Sequence, residues 1–305
     1  MSNKAEQLKQ EILQKVREYA IVEHSPSAFV PYKTKIRYAG RVFDDRELVA
    51  LVSSALDFWL TLGPYGAQFE SKMREFYGSR DFVLTNSGSS ANLAAITALC
   101  SKNLDGHMRP GVEVITPAVT FPTTLSPILQ NGLVPVFVDC ELGTYDVDVD
   151  AVAAAVSSKT QALVIPHTLG NPCRMDVLME IAREHDLWVV EDCCDALGAK
   201  YGGKLIGTFG DISTCSFYPA HHITLGEGGG VVVREPKIAK IVRSDRDWGR
   251  DCWCDPGFDD TCGKRFEWKL GELPYGFDHK YILSLIHISE PTRPRLISYA
   301  VFCLK

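Results

Sequence analysis

The sequence has no long apolar run, and no stretch of its 305 residues approaches the roughly 20 apolar residues that a membrane span requires. Residues 1–24 are polar and charged, where a secretory signal would carry an apolar segment. There is no excess of positive charge either, since the formal net charge is -6. These absences predict a cytoplasmic protein that binds neither membranes nor nucleic acid.

Internal repeats and low-complexity segments are absent as well, and 46% hydrophobic with 23% charged residues is typical of a globular protein. Cysteine, by contrast, is well represented, with ten residues. Disulfide frameworks are rare in a reducing compartment, which favours metal, cluster or redox roles for these thiols. The alternative is plain burial, because unpaired cysteine is among the most buried residue types.

The order of apolar residues predicts the fold. Apolar residues at three- and four-residue steps predict an amphipathic first helix near the N-terminus, capped by Ser2 or Asn3. From about residue 80, short β-branched runs alternate with helical stretches, which predicts an α/β fold with a mostly parallel sheet and helices on both faces. The predicted strands lie at 81–85, 113–117, 134–139, 162–166, 187–192 and 213–217. In such sheets, ligands bind beyond the carboxyl ends of the strands.

Small and hydroxyl-bearing residues follow the first predicted strand. The segment 87–92 reads SGSSAN and joins that strand to an apolar helical stretch, which places amides at a helix N-terminus. Glycine permits close backbone approach and the helix end carries partial positive charge, so the segment suits a phosphate monoester. A serine-rich helix cap would have the same sequence, and both interpretations stay open.

Two further strand ends carry residues suited to contact a ligand. Asp192 ends the apolar strand predicted at 187–192, where an ionised carboxylate is costly without a partner. A protonated pyridine nitrogen would be such a partner, and neighbouring backbone amides would be another. Phe121, just past the strand at 113–117, could pack in the core or stack on an aromatic ring.

Together and in this order, these fragments resemble the sugar aminotransferase and dehydratase group of fold-type-I pyridoxal-phosphate enzymes, over roughly residues 30–282. The resemblance implies the large domain of that fold and a set of cofactor contacts. It implies three serines at the phosphate, an aromatic residue stacked on the ring, one carboxylate at the ring nitrogen and one near the ring hydroxyl. In that order, the residues are Ser89, Ser90, Ser216, Phe121, Asp192 and Asp195.

Most members of that group carry a cofactor-binding lysine five residues after the serine at position 216. Here that position is His221, within the string SFYPAHHITLGEGGG. An imidazole cannot form a stable imine, so the resemblance implies a cofactor held non-covalently as the amine, pyridoxamine 5'-phosphate. Histidine also suits proton transfer near neutrality. The alternative is a surface histidine beside His222.

The residues around His221 resemble the CDP-4-keto-6-deoxy-D-glucose 3-dehydrase family, whose members also carry a 2Fe-2S cluster. By that resemblance the four cluster ligands are Cys194, Cys252, Cys254 and Cys262. Soft thiolates suit iron–sulfur ligation. The adjacent Cys193 leaves the first ligand ambiguous, and by spacing alone a zinc site or four buried thiols remain alternatives.

The resemblance implies a dehydrase that removes the C3 hydroxyl of a CDP-4-keto-6-deoxyhexose, on the way to 3,6-dideoxyhexoses of the O-antigen type. It further implies a nucleotide-sugar substrate, a separate NAD(P)H-dependent reductase as electron donor, and a homodimer. Two alternatives are a cluster-free GDP-4-keto-6-deoxysugar 3-dehydratase and a non-catalytic metal or redox module on the same scaffold. Ordinary transamination would need the lysine that position 221 lacks.

The chain is expected to divide into an N-terminal helical segment at 1–35, the large domain at 36–282 and a tail at 283–305. Beyond position 282 the family continues with further site residues and a smaller C-terminal domain. Residues 284–305 instead resemble a translated sequencing adapter, and they are excluded from the fold prediction. We therefore expect a C-terminally truncated chain with little activity of its own.

Overall fold

The computed structural model describes residues 3–25, 28–36, 42–247, 249, 254, 262–263, 268–269 and 276–277. The predicted first helix is present and packs on the second. Its proposed cap Ser2 lies outside the described residues. The helices of the described residues are α1 (Asn3–His24), α2 (Asp45–Asp57), α3 (Gly63–Tyr77), α4 (Gly88–Leu99), α5 (Pro122–Gln130), α6 (Val149–Ala155), α7 (Met175–Glu184) and α8 (Pro236–Arg246). No helix among them is both long and apolar enough to cross a bilayer.

All six predicted strands are present, with ends within two residues of the prediction. The strands are β1 (Asp81–Thr85), β2 (Glu113–Pro117), β3 (Val134–Val138), β4 (Thr160–Pro166), β5 (Trp188–Asp192), β6 (Lys200–Tyr201), β7 (Lys204–Leu205), β8 (Ile212–Ser216), β9 (Gly229–Val233), β10 (Trp268–Lys269) and β11 (Gly276–Phe277). Seven of them form one sheet in the order β1-β9-β8-β5-β4-β2-β3.

Helices cover both faces of this sheet. On one face, α4 and α8 pack through a core that includes Ile96 and Val242. On the other face, α6 and α7 pack through a core that includes Val152 and Leu178. This arrangement confirms the predicted α/β fold class with a mostly parallel sheet.

Strand β9 is the one member of the large sheet that runs antiparallel, to both β1 and β8. The sequence pattern did not predict it, because two glycines open it and glycine lowers strand propensity. The structure explains both glycines. A Cβ at Gly229 would lie 2.2 Å from the carbonyl oxygen of Ser87, and one at Gly230 would lie 2.1 Å from the Phe82 ring. Only glycine allows β9 to pass this close to β1.

Candidate active site

The carboxyl ends of β1, β2, β4, β5 and β8 surround a cavity of about 730 Å³. Each of these strands contributes the residues that directly follow it, as expected for a mainly parallel sheet. The predicted contact residues Ser89, Phe121, Asp192, Asp195 and Ser216 all line this cavity, together with His221 and Cys194. The fold therefore gathers in one place residues that lie more than 130 positions apart in the sequence.

The start of α4 forms one wall of the cavity. Ser87 caps the helix, because its hydroxyl accepts a hydrogen bond from the amide of Ser90 at 3.1 Å. The first amides of a helix have no acceptor within the helix and carry partial positive charge. A Cβ at Gly88 would lie 2.6 Å from Cβ of Ser216. Glycine at this position thus lets the helix start approach the end of β8 and brings Ser89 and Ser216 to the same wall.

The side chain of Ser90 does not line this cavity. It lines a separate void of about 20 Å³ with Thr97 and Asp245, and its hydroxyl accepts a hydrogen bond from the hydroxyl of Ser87 at 3.3 Å. Of the two adjacent serines, Ser89 therefore faces the cavity and Ser90 supports the helix start.

Asp192 lies at the end of β5 and is 5% exposed. Its Oδ2 accepts hydrogen bonds from Nδ2 of Asn92 at 2.8 Å and from Oγ1 of Thr124 at 2.7 Å. Its Oδ1 accepts a hydrogen bond from the amide of Cys194 at 3.1 Å. These donors orient the carboxylate but carry no charge. A buried carboxylate in such surroundings is suited to bind a cationic group, such as a protonated ring nitrogen.

Phe121 precedes α5 at the mouth of the cavity and is 68% exposed. Of the two alternatives for this residue, packing in the core is therefore excluded. Tyr218, which follows β8, also lines the cavity and is half-exposed. An exposed aromatic face beside a cavity is available to stack on a planar ring.

His221 and Asp195 form a pair, with 3.3 Å between Nδ1 and Oδ1. The hydrogen bond from His221 lowers the pKa of Asp195, although burial of the carboxyl acts in the opposite direction. The histidine side chain is 20% exposed, so it does not face bulk water as a surface histidine would. When Nδ1 donates to the carboxylate, Nε2 keeps a lone pair that can accept a proton.

The charge of the cavity wall is negative. Among the described residues that line it, Asp192, Asp195 and Glu227 carry carboxyl groups, and none is a lysine or an arginine. A ligand aldehyde would therefore meet no primary amine in this part of the chain. The described cavity is suited to a ligand held by non-covalent contacts.

Among the predicted cluster cysteines that the structure describes, Cys194 is at the cavity, and Cys254 and Cys262 contact each other. Cys194 lies in the cavity wall, where its Sγ would be 3.1 Å from a Cβ at Gly88. Burial raises the pKa of the Cys194 thiol well above its usual range, and Asp192 adds to this shift. The amide of Cys262 donates a hydrogen bond to Sγ of Cys254 at 3.3 Å, a contact that favours a thiolate.

Cys252 lies outside the described residues, and no disulfide joins the cysteines that the structure describes. Among those residues, no three of the predicted ligand cysteines place their sulfur atoms within 4.8 Å of one another. The cluster thus remains a prediction.

Three polar residues that support Asp192 were missed in the sequence. Asn92 and Thr124 are its hydrogen-bond donors, and Thr214 orients Asn92 through a 2.5 Å hydrogen bond from Oγ1 to Oδ1. All three are buried. These residues could have been found as polar residues inside an apolar helix or strand. Such a residue needs a hydrogen-bond partner when it is buried.

A doubly wound sheet with this cavity at its carboxyl edge has the fold of the large domain of fold-type-I pyridoxal-phosphate enzymes. The sequence profile of the DegT/DnrJ/EryC1/StrS aminotransferase family matches residues 43–271. The chain belongs to this family, which includes pyridoxal- and pyridoxamine-phosphate enzymes of deoxysugar and lipopolysaccharide synthesis.

Two relatives are similar over most of the chain. The dTDP-4-dehydro-2,6-dideoxy-D-glucose 3-dehydratase of Saccharopolyspora spinosa is 54% identical over 90% of this chain and 60% of its own length. The lipopolysaccharide biosynthesis protein RfbH of Salmonella typhimurium is 50% identical over 92% of this chain and 64% of its own length. The chain therefore spans less than two thirds of either relative.

A solved structure with the same fold is the Escherichia coli GDP-4-keto-6-deoxy-D-mannose-3-dehydratase with bound hydrated pyridoxal phosphate. Its TM-score is 0.73 at 31% identity, and the match covers 86% of this chain and 65% of that one.

Proposed function

We propose that this chain is the cofactor-binding part of a pyridoxamine-phosphate-dependent dehydrase, which removes the C3 hydroxyl of a CDP-4-keto-6-deoxyhexose in 3,6-dideoxyhexose synthesis. The observation that carries the proposal is the His221–Asp195 pair in a cavity whose described lining offers no lysine. The Saccharopolyspora spinosa and Escherichia coli relatives are named 3-dehydratases, which supports the proposed reaction. RfbH is named a lipopolysaccharide biosynthesis protein, which supports the proposed role in that synthesis. The choice of CDP rests on the resemblance of the residues around His221.

The cavity fits pyridoxamine phosphate. The α4 start with Ser89 and Ser216 would hold the phosphate, Phe121 would stack on the ring, and Asp192 would pair with the protonated ring nitrogen. Asp192 is well suited to pair with a cationic ring nitrogen, because it is a buried carboxylate and all its observed hydrogen-bond donors are neutral. When bound, the cofactor supplies an amine that condenses with the C4 ketone and a ring that withdraws electrons.

His221 would serve as the acid–base residue. Asp195 holds Nδ1, so Nε2 can take a proton from the C4' carbon of the cofactor and later return one. The ionised Asp195 stabilises the imidazolium that results. The half-exposed cavity mouth around Phe121 and Tyr218 would seat the sugar, whose C3 hydroxyl, next to the C4 ketone, is the group to be removed.

A 2Fe-2S cluster would be held by Cys194, Cys252, Cys254 and Cys262. The thiol donor set fits, and the Cys262 amide at Sγ of Cys254 is the type of contact that stabilises a coordinated thiolate. Iron would also compensate for the high thiol pKa of Cys194, because coordination deprotonates a thiol. The cluster would supply one-electron transfer from a separate NAD(P)H-dependent reductase, and a homodimer is proposed as the assembly.

Absorbance spectroscopy of the anaerobically purified chain, with and without added pyridoxamine phosphate, tests both cofactors together. We expect a cofactor band that is retained after gel filtration, and cluster bands that disappear on iron chelation. His221→Asn should keep pyridoxamine-phosphate binding but abolish the residual dehydration of CDP-, dTDP- and GDP-4-keto-6-deoxysugars that the chain catalyses. His222→Asn is the matched control. Unchanged turnover in His221→Asn would reject the assignment.

Two alternatives make different predictions. A cluster-free GDP-sugar dehydratase is favoured by the similarity to the Escherichia coli enzyme, and it predicts no iron or acid-labile sulfide together with a preference for the GDP sugar. A non-catalytic metal or redox module predicts bound metal without affinity for pyridoxamine phosphate. The gathering of Ser89, Phe121, Asp192 and Ser216 at one cavity argues against the module.

A further inference from the structure

The residue before Asp192 carries a second carboxylate, on the opposite face of the sheet. Glu191 is fully buried. Its Oε2 accepts a hydrogen bond from the amide of Gly207 at 2.8 Å, and its Oε1 accepts hydrogen bonds from the amides of Phe209 at 2.8 Å and Gly210 at 2.7 Å. One side chain thus binds the backbone of the loop that leads into β8.

His167, directly after β4, is the fourth partner of Glu191. Its Nδ1 accepts a hydrogen bond from the amide of Cys173 at 3.2 Å, so Nε2 carries the hydrogen and donates to Oε2 of Glu191 at 3.3 Å. Its backbone amide donates to the carbonyl oxygen of Asp192 at 3.1 Å. His167 therefore contacts both residues at the end of β5.

A metal ion is not required to explain this cluster. Donor atoms of His167, Glu191 and Cys193 lie within 4.8 Å of one another. The carboxylate oxygens, however, already accept four hydrogen bonds, and both ring nitrogens are engaged. The side chains of His167 and Glu191 are fully buried, as is the thiol-bearing Cys193. The hydrogen bonds account for the polar atoms of the His167–Glu191 pair.

Glu191 is held in its ionised form. Burial acts to raise its pKa, but the hydrogen bond from His167 and the amides of Gly210 and Gly207 outweigh burial and lower it. An ionised acceptor makes stronger hydrogen bonds than a neutral one. The loop at 207–210 is therefore fixed more firmly than an amide side chain at position 191 would fix it.

The contacts of Glu191 extend to the groups that orient Asp192. The loop continues into β8, whose register places Thr214 opposite Asp192. Thr214 donates to Asn92, and Asn92 donates to Asp192. Displacement of the loop would shift Thr214 along β5, and Asn92 would then no longer hold the Asp192 carboxylate in place.

We propose that His167 and Glu191 are positioning residues for Asp192, fixing its carboxylate for the ring nitrogen of the bound cofactor from the far face of the sheet. This inference rests on the proposed function. His167 and Glu191 act through the backbone of β5 and through β8, without touching the cofactor.

Pyridoxamine phosphate labelled with ¹⁵N at the ring nitrogen tests the inference, with the purified chain and its Glu191→Gln variant. We expect the variant to lose affinity by about 10-fold, which corresponds to weakening the Asp192 contact by roughly one ordinary hydrogen bond, and to shift the ¹⁵N resonance toward the unprotonated ring. Glu180→Gln, an exposed change on α7, is the matched control. A wild-type resonance and affinity in Glu191→Gln would overturn the inference.

The His167 variants decide the question if Glu191→Gln does not fold, as judged by circular dichroism. His167→Gln can place a donor near the position of Nε2 and should keep the wild-type ¹⁵N resonance, whereas His167→Asn should not. Equal resonances in the two variants would overturn the inference. Absence of pyridoxamine-phosphate binding by the wild-type chain would instead overturn the proposed function, and this inference with it.

Discussion

His221 Nδ1 and Asp195 Oδ1 lie 3.3 Å apart at the cavity, and this contact lowers the pKa of the carboxyl. Because the folded-state pKa is below the unfolded one, the contribution to stability is present above the unfolded pKa. It is lost as the pH falls through the folded pKa. We expect His221→Asn to raise the pKa of Asp195, as measured by carboxyl ¹³C NMR titration. His222→Asn should raise it less, and equal shifts in both variants would contradict the pairing.

Asp195→Asn should reduce the rate of dehydration by about 100-fold, at the low end of the range that general acid–base catalysis contributes. The amide can still accept from Nδ1 but no longer stabilises the imidazolium. The expected signature is a lower kcat with an altered pH profile and little change in KM. An unaltered pH profile would show that His221 works without this partner.

Gly88→Ala should reduce the free energy of pyridoxamine-phosphate binding more than it reduces the free energy of unfolding. The added Cβ would lie 2.6 Å from Cβ of Ser216 and 3.1 Å from Sγ of Cys194, so the α4 start must move away from β8. Titration calorimetry gives the affinity, and urea unfolding gives the stability. A variant that keeps wild-type affinity would show that the phosphate does not bind at this helix start.

Asp245→Leu should stabilise the chain. Asp245 is 5% exposed, and neither of its carboxyl oxygens has a hydrogen-bond partner among the described residues. Burial raises the pKa of this carboxyl well above its usual range. We expect the free energy of unfolding at pH 7 to rise by about 1–3 kcal/mol, the usual cost of burying an unsatisfied polar group.

The gain from Asp245→Leu should depend on pH. Below the unfolded pKa, aspartic acid is protonated in both states. As the pH rises, only the unfolded state ionises, so the wild type loses stability up to the folded pKa and the variant does not. Asp247→Leu is the control, because Asp247 binds Arg246 and is more exposed. A gain in Asp247→Leu as large as in Asp245→Leu would refute the explanation.

Cys262→Ser should lower the iron and acid-labile sulfide bound by the anaerobically purified chain, because serine replaces a soft thiolate ligand. Cys140→Ser is the comparison, since Cys140 lies beyond β3 and outside the predicted ligand set. Iron and sulfide analysis of the two variants measures the effect. Wild-type iron content in Cys262→Ser would remove this residue from the ligand set.

Six of the seven strands of the large sheet could be predicted, because their β-branched residues form short runs between helical stretches. β5 is an example, with Trp188, Val189 and Val190 directly before Glu191 and Asp192. The position of Asp192 at a strand end was enough to predict its place at the cavity. The position of a strand end did not show which of Ser89 and Ser90 faces the cavity. A difference of one residue at a helix start turns the side chain to another side of the helix.

The support of Asp192 could not be predicted from the sequence. Asn92 lies 100 residues before it, and Thr214 is opposite it only because β8 pairs with β5 in one register. Such contacts depend on tertiary geometry, which the periodicity of a single segment does not contain. The same holds for Glu191, whose partners at 207–210 lie in a loop without a motif.

The antiparallel direction of β9 has a consequence for the path of the chain. β9 starts beside Ser216 at the cavity edge and ends beside Ile212 at the opposite edge. Helix α8 then needs only 11 residues, about 16 Å at 1.5 Å per residue, to return toward the first edge. It ends near Thr85 and Ser90. A single helical return thus brings the C-terminal end of α8 to the side of the sheet where Cys194 lies.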